Sequence, residues 1–405
     1  MARSRPRKPL SPVAQAGRRP AQGGSSARYS RASGDHTRAL LRSARKKHRD
    51  AQRRTGCHDF KAAGESATLV PMIIAGDIGG TKTVLALFET AGEDLRCVRE
   101  ATFPSLEYHS LEAVVDEFLS ATARPTLTGA CFGVAGPVES GRARLTNLPW
   151  LLDEEHLAKA LQAPRVRLLN DLEAAAFGML FLAPTDFEVL QPGKAGVRGD
   201  IAVIAPGTGL GEALLHFDGK QYHAIPSEGG HADFAPRTDD EIVLLRHLRT
   251  ALGGHVSYER ILSGAGIGNL YRSLRNEATT REPPWLAEQI GSGDPNAAIS
   301  GAALANRDPV CVQTLRMFCA VLGAEAGNLA LKGLTTGGVI IGGGIAPKIL
   351  PALKEGSFLA ALADKGRFSD WAKNLPVRVA LDPRAPLIGA SRYLVSSAIH
   401  PGART

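Results

Sequence analysis

Apolar residues recur along the chain in short runs that alternate with single helical patterns. From residue 72 onward the runs predict strands at 72–77, 82–90, 96–103, 127–134, 142–145 and 165–169. Helical spacing predicts helices at 111–121 and 171–180, the second with an acidic residue at its start. Strands that alternate with single helices predict an α/β fold.

The second half of the chain begins on the same plan. After an apolar segment at 187–190, strands at 201–205 and 212–217 repeat the hairpin that follows Met72. Helices are then predicted at 239–251, 265–276, 297–305 and 309–331. The last is expected to be long and buried on one face. A buried strand at 339–341 precedes a further helix, and a terminal helix at 386–398 is expected to pack back.

Two glycine-rich turns stand between the predicted strands, GDIGGTK at 76–82 and APGTGLG at 205–211. Glycine lets backbone N–H groups converge on an anion without a Cβ in the way, and Thr81 and Thr208 add hydroxyl donors. A Walker loop would be followed by a helix, so neither turn is one. A single turn of this kind is weak evidence, because any hairpin can carry two glycines. The pair predicts two phosphate-binding turns.

The composition is that of an ordinary globular chain, with 405 residues, 44% hydrophobic and 22% charged. The most apolar stretch, around 338–345, is too short and too glycine-rich to span a membrane. Residues 1–66 hold 17 Lys and Arg against 4 Asp and Glu, a charge of +13. Subtracting this from the formal +8 leaves −5 for the remaining residues. The basic balance therefore describes the amino-terminal segment and gives no reason to expect a nucleic-acid-binding core.

The amino-terminal segment, residues 1–66, is rich in Arg, Ser, Ala, Gly and Pro and has almost no periodic apolar face. It is expected to be a disordered basic extension. Three interpretations compete: a nucleic-acid tail, an organellar transit peptide, and an upstream start codon chosen in error. We favour the last, because Met72 falls where an internal start would place it.

The five cysteines, Cys57, Cys97, Cys131, Cys311 and Cys319, are scattered and contain no CxxC pair. This pattern disfavours a disulfide framework or a zinc site and fits a reducing cytoplasm.

Several polar residues lie at predicted junctions and turns. Asn170 and Asp171 stand between a strand and a helix, where a carboxylate can take a proton from an alcohol, although an Asp helix cap beside a turn Asn is the commoner use. Glu228 and His231 flank two glycines in SEGGHADFAP, so a carboxylate and an imidazole are expected on one side of a turn. Glu259, beside Arg260, is first interpreted as half of a solvated charge pair.

The order of these motifs resembles the bacterial glucokinase family. It runs GDIGGT, GVAGPV, TNLPW, NDLEAAAFG, GTGLG, EGGH, SYERILSG and GGVIIGGG, and covers residue 72 to about residue 396. The resemblance implies a duplicated actin-like ATPase (ribonuclease H-like) fold, with two α/β domains around a cleft. We expect a small domain at 67–170 and a large domain at 171–405, whose terminal helix packs back on the small one.

The resemblance also implies roles for individual residues. Asp171 would be the general base and Asp77 would lie near the Mg²⁺ of MgATP, through water, with no direct protein ligand to the metal. The hexose would be held by Asn147, Asn170, Asp171, Glu228, His231 and Glu259. ATP would be held by Gly76, Asp77, Ile78, Gly79, Gly80, Thr81, Gly207, Thr208, Gly209 and Gly343, the last in the GGGIAP turn at 342–347.

The function implied is an ATP-dependent hexokinase of the cytoplasm that makes glucose 6-phosphate for glycolysis. A hexose and ATP are the expected partners, with a homodimer left open, no membrane, and no nucleic acid beyond non-specific contact. Lys82 departs from the family pattern and is more typical of related ROK kinases. Their zinc-binding cysteines are absent here, since no cysteine occurs between Cys131 and Cys311. A sugar-responsive DNA-binding regulator and a chaperone-type ATPase of the same superfamily are the alternatives, and both fit the motifs less well.

Overall fold

The computed structural model describes residues 71–92, 94–120, 125–145, 147–194 and 196–399, with side chains as far as residue 396. The disordered extension expected at 1–66 lies outside the described residues. In chain order, the strands of the described part are β1 (Met72–Ile78), β2 (Lys82–Ala91), β3 (Asp94–Pro104), β4 (Leu127–Val134), β5 (Val138–Glu139), β6 (Arg142–Arg144), β7 (Leu151–Asp153), β8 (Val166–Asn170), β9 (Phe187–Gln191), β10 (Ile201–Pro206), β11 (Leu210–Phe217), β12 (Tyr222–Ser227), β13 (Gly338–Ile341) and β14 (Val377–Ala380).

The α-helices of the same residues are α1 (Leu111–Ser120), α2 (Glu154–Leu161), α3 (Asp171–Met179), α4 (Asp239–Leu252), α5 (Gly264–Glu277), α6 (Pro284–Ser292), α7 (Pro295–Leu304), α8 (Pro309–Gly333), α9 (Leu350–Lys354), α10 (Ser357–Ala363), α11 (Ser369–Lys373) and α12 (Ala385–Ile399). Short 3₁₀ turns matter to the site at Ser105–Glu107, Gly229–His231 and Tyr258–Arg260.

The first sheet has the order β3-β2-β1-β4-β8. β1, β2 and β3 are antiparallel neighbours, whereas β4 and β8 run parallel to β1. In the parallel register Ile78 lies opposite Val134, and Val134 lies opposite Asn170. The ends of β1, β4 and β8 therefore meet at one edge of the sheet. Buried side chains of α1 and α2, such as Phe118 and Leu157, cover this sheet together with its own Phe132.

The second sheet repeats this plan with the order β12-β11-β10-β13-β14-β9. β10, β11 and β12 are antiparallel, β13 and β14 run parallel to β10, and β9 adds an antiparallel edge. The prediction that the chain is built twice on one plan is confirmed. The second sheet carries the larger core, because α8 and the helices around it pack on its face.

α8 is the longest helix of the described residues, and it is more buried than its sequence pattern predicts. One buried face was expected, but residues on most of its circumference are buried, because α5, α7 and α10 pack along its sides. Val312 is only half-buried. By length and composition α8 could cross a membrane, yet 78% of its apolar window is buried inside the protein. The burial is that of a core helix.

α3 lies between the two sheets and belongs to the cores of both. Ala174 packs with Ile73 and Cys131 of the first sheet, whereas Ala176 and Met179 pack with side chains of the second. α12 packs against α3 and also contacts β1 and β4. Because α3 packs on both sheets, the domain boundary at 170/171 stays a prediction.

Several elements are absent from the sequence prediction. β12 contains Pro226, which argues against a strand, but β12 is the edge of its sheet, where a missing N–H is tolerated. α2 begins at an Asp153 cap whose side chain accepts from His156 N. α6, α10 and β14 are short, and their apolar runs give no clear period.

The α3–α12 contact generates a stability prediction. A Cβ on Gly389 would overlap the carbonyl oxygen of Ala174, because the two helix backbones touch there. Gly389→Ala should therefore destabilise the protein by about 1–3 kcal/mol, the usual cost of overpacking. Gly301→Ala, with no atom within 4 Å of the added carbon, should be neutral or stabilising. Urea unfolding of both variants checks this, and equal stability of Gly389→Ala and the wild type would contradict it.

Candidate active site

The first glycine turn joins β1 to β2 and is stabilised by hydrogen bonds within the turn and from Ser105. Gly79 N donates to Lys82 O at 3.0 Å. Ser105, which is fully buried, donates from Oγ to Gly79 O at 2.8 Å and from its backbone N to Thr81 O at 3.1 Å. The carbonyl oxygens of Gly79, Thr81 and Lys82 thus accept hydrogen bonds from the protein, while the side chains of Thr81 and Lys82 are exposed.

Asn147 lies against this turn. A Cβ on Gly80 would lie 2.7 Å from Asn147 Cβ, so only glycine fits at position 80. Asn147 itself is exposed. The structure therefore brings one predicted hexose residue next to the first predicted phosphate turn.

The second glycine turn joins β10 to β11 and packs against the loop that carries Glu259. Gly207 N donates to Gly209 O at 2.8 Å, and Gly207 O accepts from Gly264 N at 2.9 Å. Glu259 Oε2 accepts from Leu210 N at 3.1 Å. A Cβ on Gly209 would overlap the Glu259 carboxylate, so a larger residue at position 209 would displace that side chain. Glu259 contacts the turn, contrary to the interpretation as a solvated pair with Arg260.

Gly343 lies beside the second turn, because β13 runs parallel to β10 in the sheet. Gly342 N donates to Ile204 O at 2.8 Å, and Ile345 N donates to Pro206 O at 3.2 Å. Gly343 has a φ of +77° and lies directly against Pro206. The GGGIAP turn and the predicted second phosphate turn therefore share one sheet edge, where Thr208 is exposed.

Asn170 and Asp171 begin α3 at the edge of the first sheet. Asn170 is the cap: its Oδ1 accepts from Leu172 N at 3.0 Å and Glu173 N at 3.3 Å, and its Nδ2 donates to Gly136 O at 3.2 Å. The interpretation of Asp171 as the cap is wrong, since it is the first helical residue. Its Oδ1 accepts from Leu172 N at 2.8 Å.

Three carboxyl groups interact across the cleft between the sheets. The pKa of Asp77 is raised to about 6: burial is the largest cause, the charge of Asp171 acts in the same direction, and Lys82 opposes both. Burial also raises the pKa of Asp171, the Leu172 N–H lowers it, and the charge of Glu228 raises it. Asp171 is therefore close to the first glycine turn on one side and to the Glu228 turn on the other. A carboxyl group with a raised pKa is suited to accept a proton.

Glu228 and His231 frame the turn after β12. His231 Nε2 lies 3.9 Å from Glu228 Oε2, and their side chains are 61% and 63% exposed. The prediction that the two face the same side is confirmed. Asp233, two residues after His231 in the sequence, pairs with His255: its Oδ1 lies 2.9 Å from His255 Nε2.

The chain that forms this site is similar in sequence to known proteins. The glucokinase family model matches residues 74–397. A glucokinase of Nostoc punctiforme is 42% identical over 336 residues, covering 79% of this chain and 98% of the relative. A glucokinase of Synechocystis sp. is 40% identical over 341 residues, covering 78% and 96%. The chain belongs to the glucokinase family. As a member of it, the protein is an enzyme, a transferase that phosphorylates glucose.

Solved glucokinase structures share the fold. A glucokinase from an Antarctic psychrotroph has a TM-score of 0.70 and 34% identity, covering 80% of this chain and 99% of that one. A glucokinase of Balamuthia mandrillaris in complex with glucose has a TM-score of 0.68 at 22% identity, which bears on the fold alone, and covers 90% and 99%. The prediction of a duplicated actin-like ATPase fold is confirmed.

Sequence reasoning missed two residues of this glucokinase-family site. Ser105 supports the first glycine turn, but a lone serine after a strand carries no signal of that role. Glu212, which is 1% exposed, lies beneath the Glu228 turn. Its signal was available, because it is an acid in the middle of an apolar strand.

The contact between Gly209 and Glu259 yields a kinetic prediction. In Gly209→Ala the new Cβ should displace the Glu259 carboxylate. Because that carboxylate accepts a hydrogen bond from Leu210 N, its displacement should also distort the second turn. We expect the KM values for both glucose and ATP to rise, each by about tenfold, the cost of roughly one charge-assisted hydrogen bond. Gly291→Ala, which meets no atom within 4 Å, is the matched control. Steady-state kinetics with both substrates varied measures the two KM values. Unchanged values would contradict a role of this contact in substrate binding.

Proposed function

We propose that this protein transfers the γ-phosphoryl group of ATP to the 6-hydroxyl of glucose, giving glucose 6-phosphate for glycolysis, with Asp171 as general base. One observation carries the proposal: the carboxyl group of Asp171 interacts at once with Asp77 beside the first glycine turn and with Glu228 of the turn after β12. A base between a phosphate turn and a hydroxyl-holding turn is where phosphoryl transfer to an alcohol requires it.

The donor would be held by the two glycine turns and by Gly343. Their backbone N–H groups offer fixed partial positive charge, and Thr81 and Thr208 are exposed beside them. Asp77 is a half-buried carboxylate beside the first glycine turn, which fits a Mg²⁺ that keeps its waters and is carried by the phosphates of ATP. Such an ion neutralises phosphate charge when bound. Lys82, whose positive charge acts on Asp77, would add to that neutralisation.

The acceptor would be gripped by the exposed pair of Glu228 and His231, with Glu259, Asn147 and Asn170 around it. Carboxylates accept hydrogen bonds from sugar hydroxyls, and buried acceptors left unpaired penalise a sugar that lacks one hydroxyl. Asn170 already uses its amide in the helix cap, so its share in hexose binding would be limited to its remaining hydrogen-bonding capacity.

Phosphoryl transfer requires mainly that the protein position the two substrates and neutralise the charge of the phosphates. Asp171 accepts the proton of the 6-hydroxyl as the oxygen attacks the γ-phosphorus, and the bond to ADP breaks. The pKa of Asp171 is raised chiefly by burial, which makes it a stronger base than a solvated aspartate.

All the residues proposed to hold the two substrates come from one chain, so the activity would not require the homodimer that the resemblance leaves open. The cysteines of the described residues, Cys97, Cys131, Cys311 and Cys319, form no disulfide with one another, which supports the proposed cytoplasmic location.

Asp171→Asn tests the general base. Because the amide keeps the shape of the side chain but cannot take a proton, kcat should fall by about 10²–10⁴-fold while glucose binding stays within about twofold. Calorimetric titration with glucose and a coupled assay of ADP release measure the two quantities. Asp370→Asn, at an aspartate that is 95% exposed, is the control. Wild-type turnover in Asp171→Asn would remove Asp171 from the role.

Substrate choice is tested separately with a panel of hexoses and phosphoryl donors. We expect glucose with MgATP to give the highest kcat/KM, and omission of Mg²⁺ to abolish turnover, because the phosphate charge is then left uncompensated. Polyphosphate or ADP serving better than ATP would contradict the proposed donor. A higher kcat/KM for another hexose would contradict the proposed acceptor.

A further inference from the structure

An acidic residue occupies an apolar position of β11. Leu210 and Leu214 lie on the face of this strand that packs toward α8, and Glu212 stands between them on the same face. Its side chain is buried, and its Oε1 has no hydrogen-bond partner among the residues that the structure describes. Burying an ionised carboxylate in this way is costly, and a protonated carboxyl is the cheaper state.

A second buried acid, Glu325 of α8, faces Glu212. Glu325 is fully buried, and it accepts from Asn328 Nδ2 at 2.9 Å and pairs with Lys332 Nζ at 3.5 Å. The hydroxyl of Tyr258 also hydrogen-bonds to Glu325. Lys332 therefore pairs with Glu325, and none of the ion pairs among the described residues involves Glu212.

The two acids contact the two segments that carry the proposed hexose residues. The Glu212 carboxyl lies directly beneath Gly229, where a Cβ would overlap Oε2, and Gly229 stands between Glu228 and His231. Ser227 Oγ donates to Glu212 O at 2.9 Å. On the other side, Tyr258 precedes Glu259 in the chain and its backbone N donates to Ala232 O at 3.1 Å.

The charges around Glu212 favour its neutral form. The pKa of Glu212 is raised from 4.5 to about 7: burial is the largest cause, the charge of Glu325 acts in the same direction, and Lys332 opposes both. Lys365 acts on the same region, since the charge of Glu325 raises its pKa while burial and Arg237 lower it. Glu228 and His231 are the titratable groups of the turn above.

We propose that Glu212 is a positioning residue for the hexose-binding turn: its neutral carboxyl packs beneath Gly229, and loss of its proton next to Glu325 displaces the turn and weakens glucose binding. The inference rests on the proposed roles of Glu228, His231 and Glu259. Glu212 does not touch the substrate, and it acts through the Gly229 backbone.

Two pH dependences follow. Stability contributed by the neutral carboxyl is fully present below about pH 4.5 and is lost as the pH rises through about 7, because the unfolded chain ionises first. The Tm of the wild type should therefore fall relative to that of Glu212→Gln over this range. Glucose affinity of the wild type should hold up to about pH 7 and fall above it.

The experiment compares the wild type with Glu212→Gln, a neutral isostere, by calorimetric titration with glucose from about pH 6 to about pH 8.5. Other titrating groups affect both proteins equally, so the ratio of the wild-type Kd to the Kd of Glu212→Gln isolates the contribution of Glu212. We expect this ratio to rise by about threefold or more over the pH range. Asp370→Asn, which also replaces an acid by its amide but at an aspartate that is 95% exposed, is the control. Its profile should parallel the wild type.

Glu325→Gln provides a second arm that does not depend on the first variant folding. Removing the neighbouring charge should move the wild-type transition to lower pH, because Glu212 then ionises more easily beside Lys332. Parallel profiles of the wild type and Glu212→Gln, or an unmoved transition in Glu325→Gln, would overturn the inference. Glu228→Ala separates the two levels: if glucose binding is unchanged in that variant, the proposed hexose site itself fails. If binding weakens while the pH profiles stay parallel, only the role of Glu212 fails.

Discussion

The parallel register of β1, β4 and β8 is the constraint on which the site depends. Ile78, Val134 and Asn170 lie opposite one another across three strands, so the glycine turn after β1 and the start of α3 meet at one sheet edge. The same arrangement of β10 and β13 brings the second turn to Gly343. Shifting either register by one residue would turn the side chains to the opposite faces and separate these groups.

α3 converts two separate sheet edges into one site. Its first residue is Asp171, and the helix behind it packs on both sheets and on α12. Small residues, Ala174 and Gly178 among them, let the backbones of α3 and α12 touch. Such close packing leaves little freedom at the amino terminus of the helix, and this fixes the carboxyl of Asp171 between the donor and acceptor sides.

Carboxyl groups are concentrated at two levels of the site. Asp77, Asp171 and Glu228 interact across the cleft, and beneath them Glu212 and Glu325 share one cation in the core of the second sheet. In the proposed function, Asp77, Asp171 and Glu228 act on the substrates. Glu212 and Glu325 support the loops that carry the hexose-binding residues. Both depend on burial, since the same carboxyl groups in water would ionise independently.

The sequence by itself determined most of the elements and their duplication, because periodicity reports which face of a strand or helix is buried, and the motif order indicated the family. It also selected the turn residues, since Gly76–Thr81 chemistry is local. It could not decide that Asn170 caps α3, that Glu259 contacts Leu210 N, or that Glu212 lies beneath Gly229. Those contacts join residues that are neighbours only after the sheets form and α3 packs between them, so only the tertiary structure decided them.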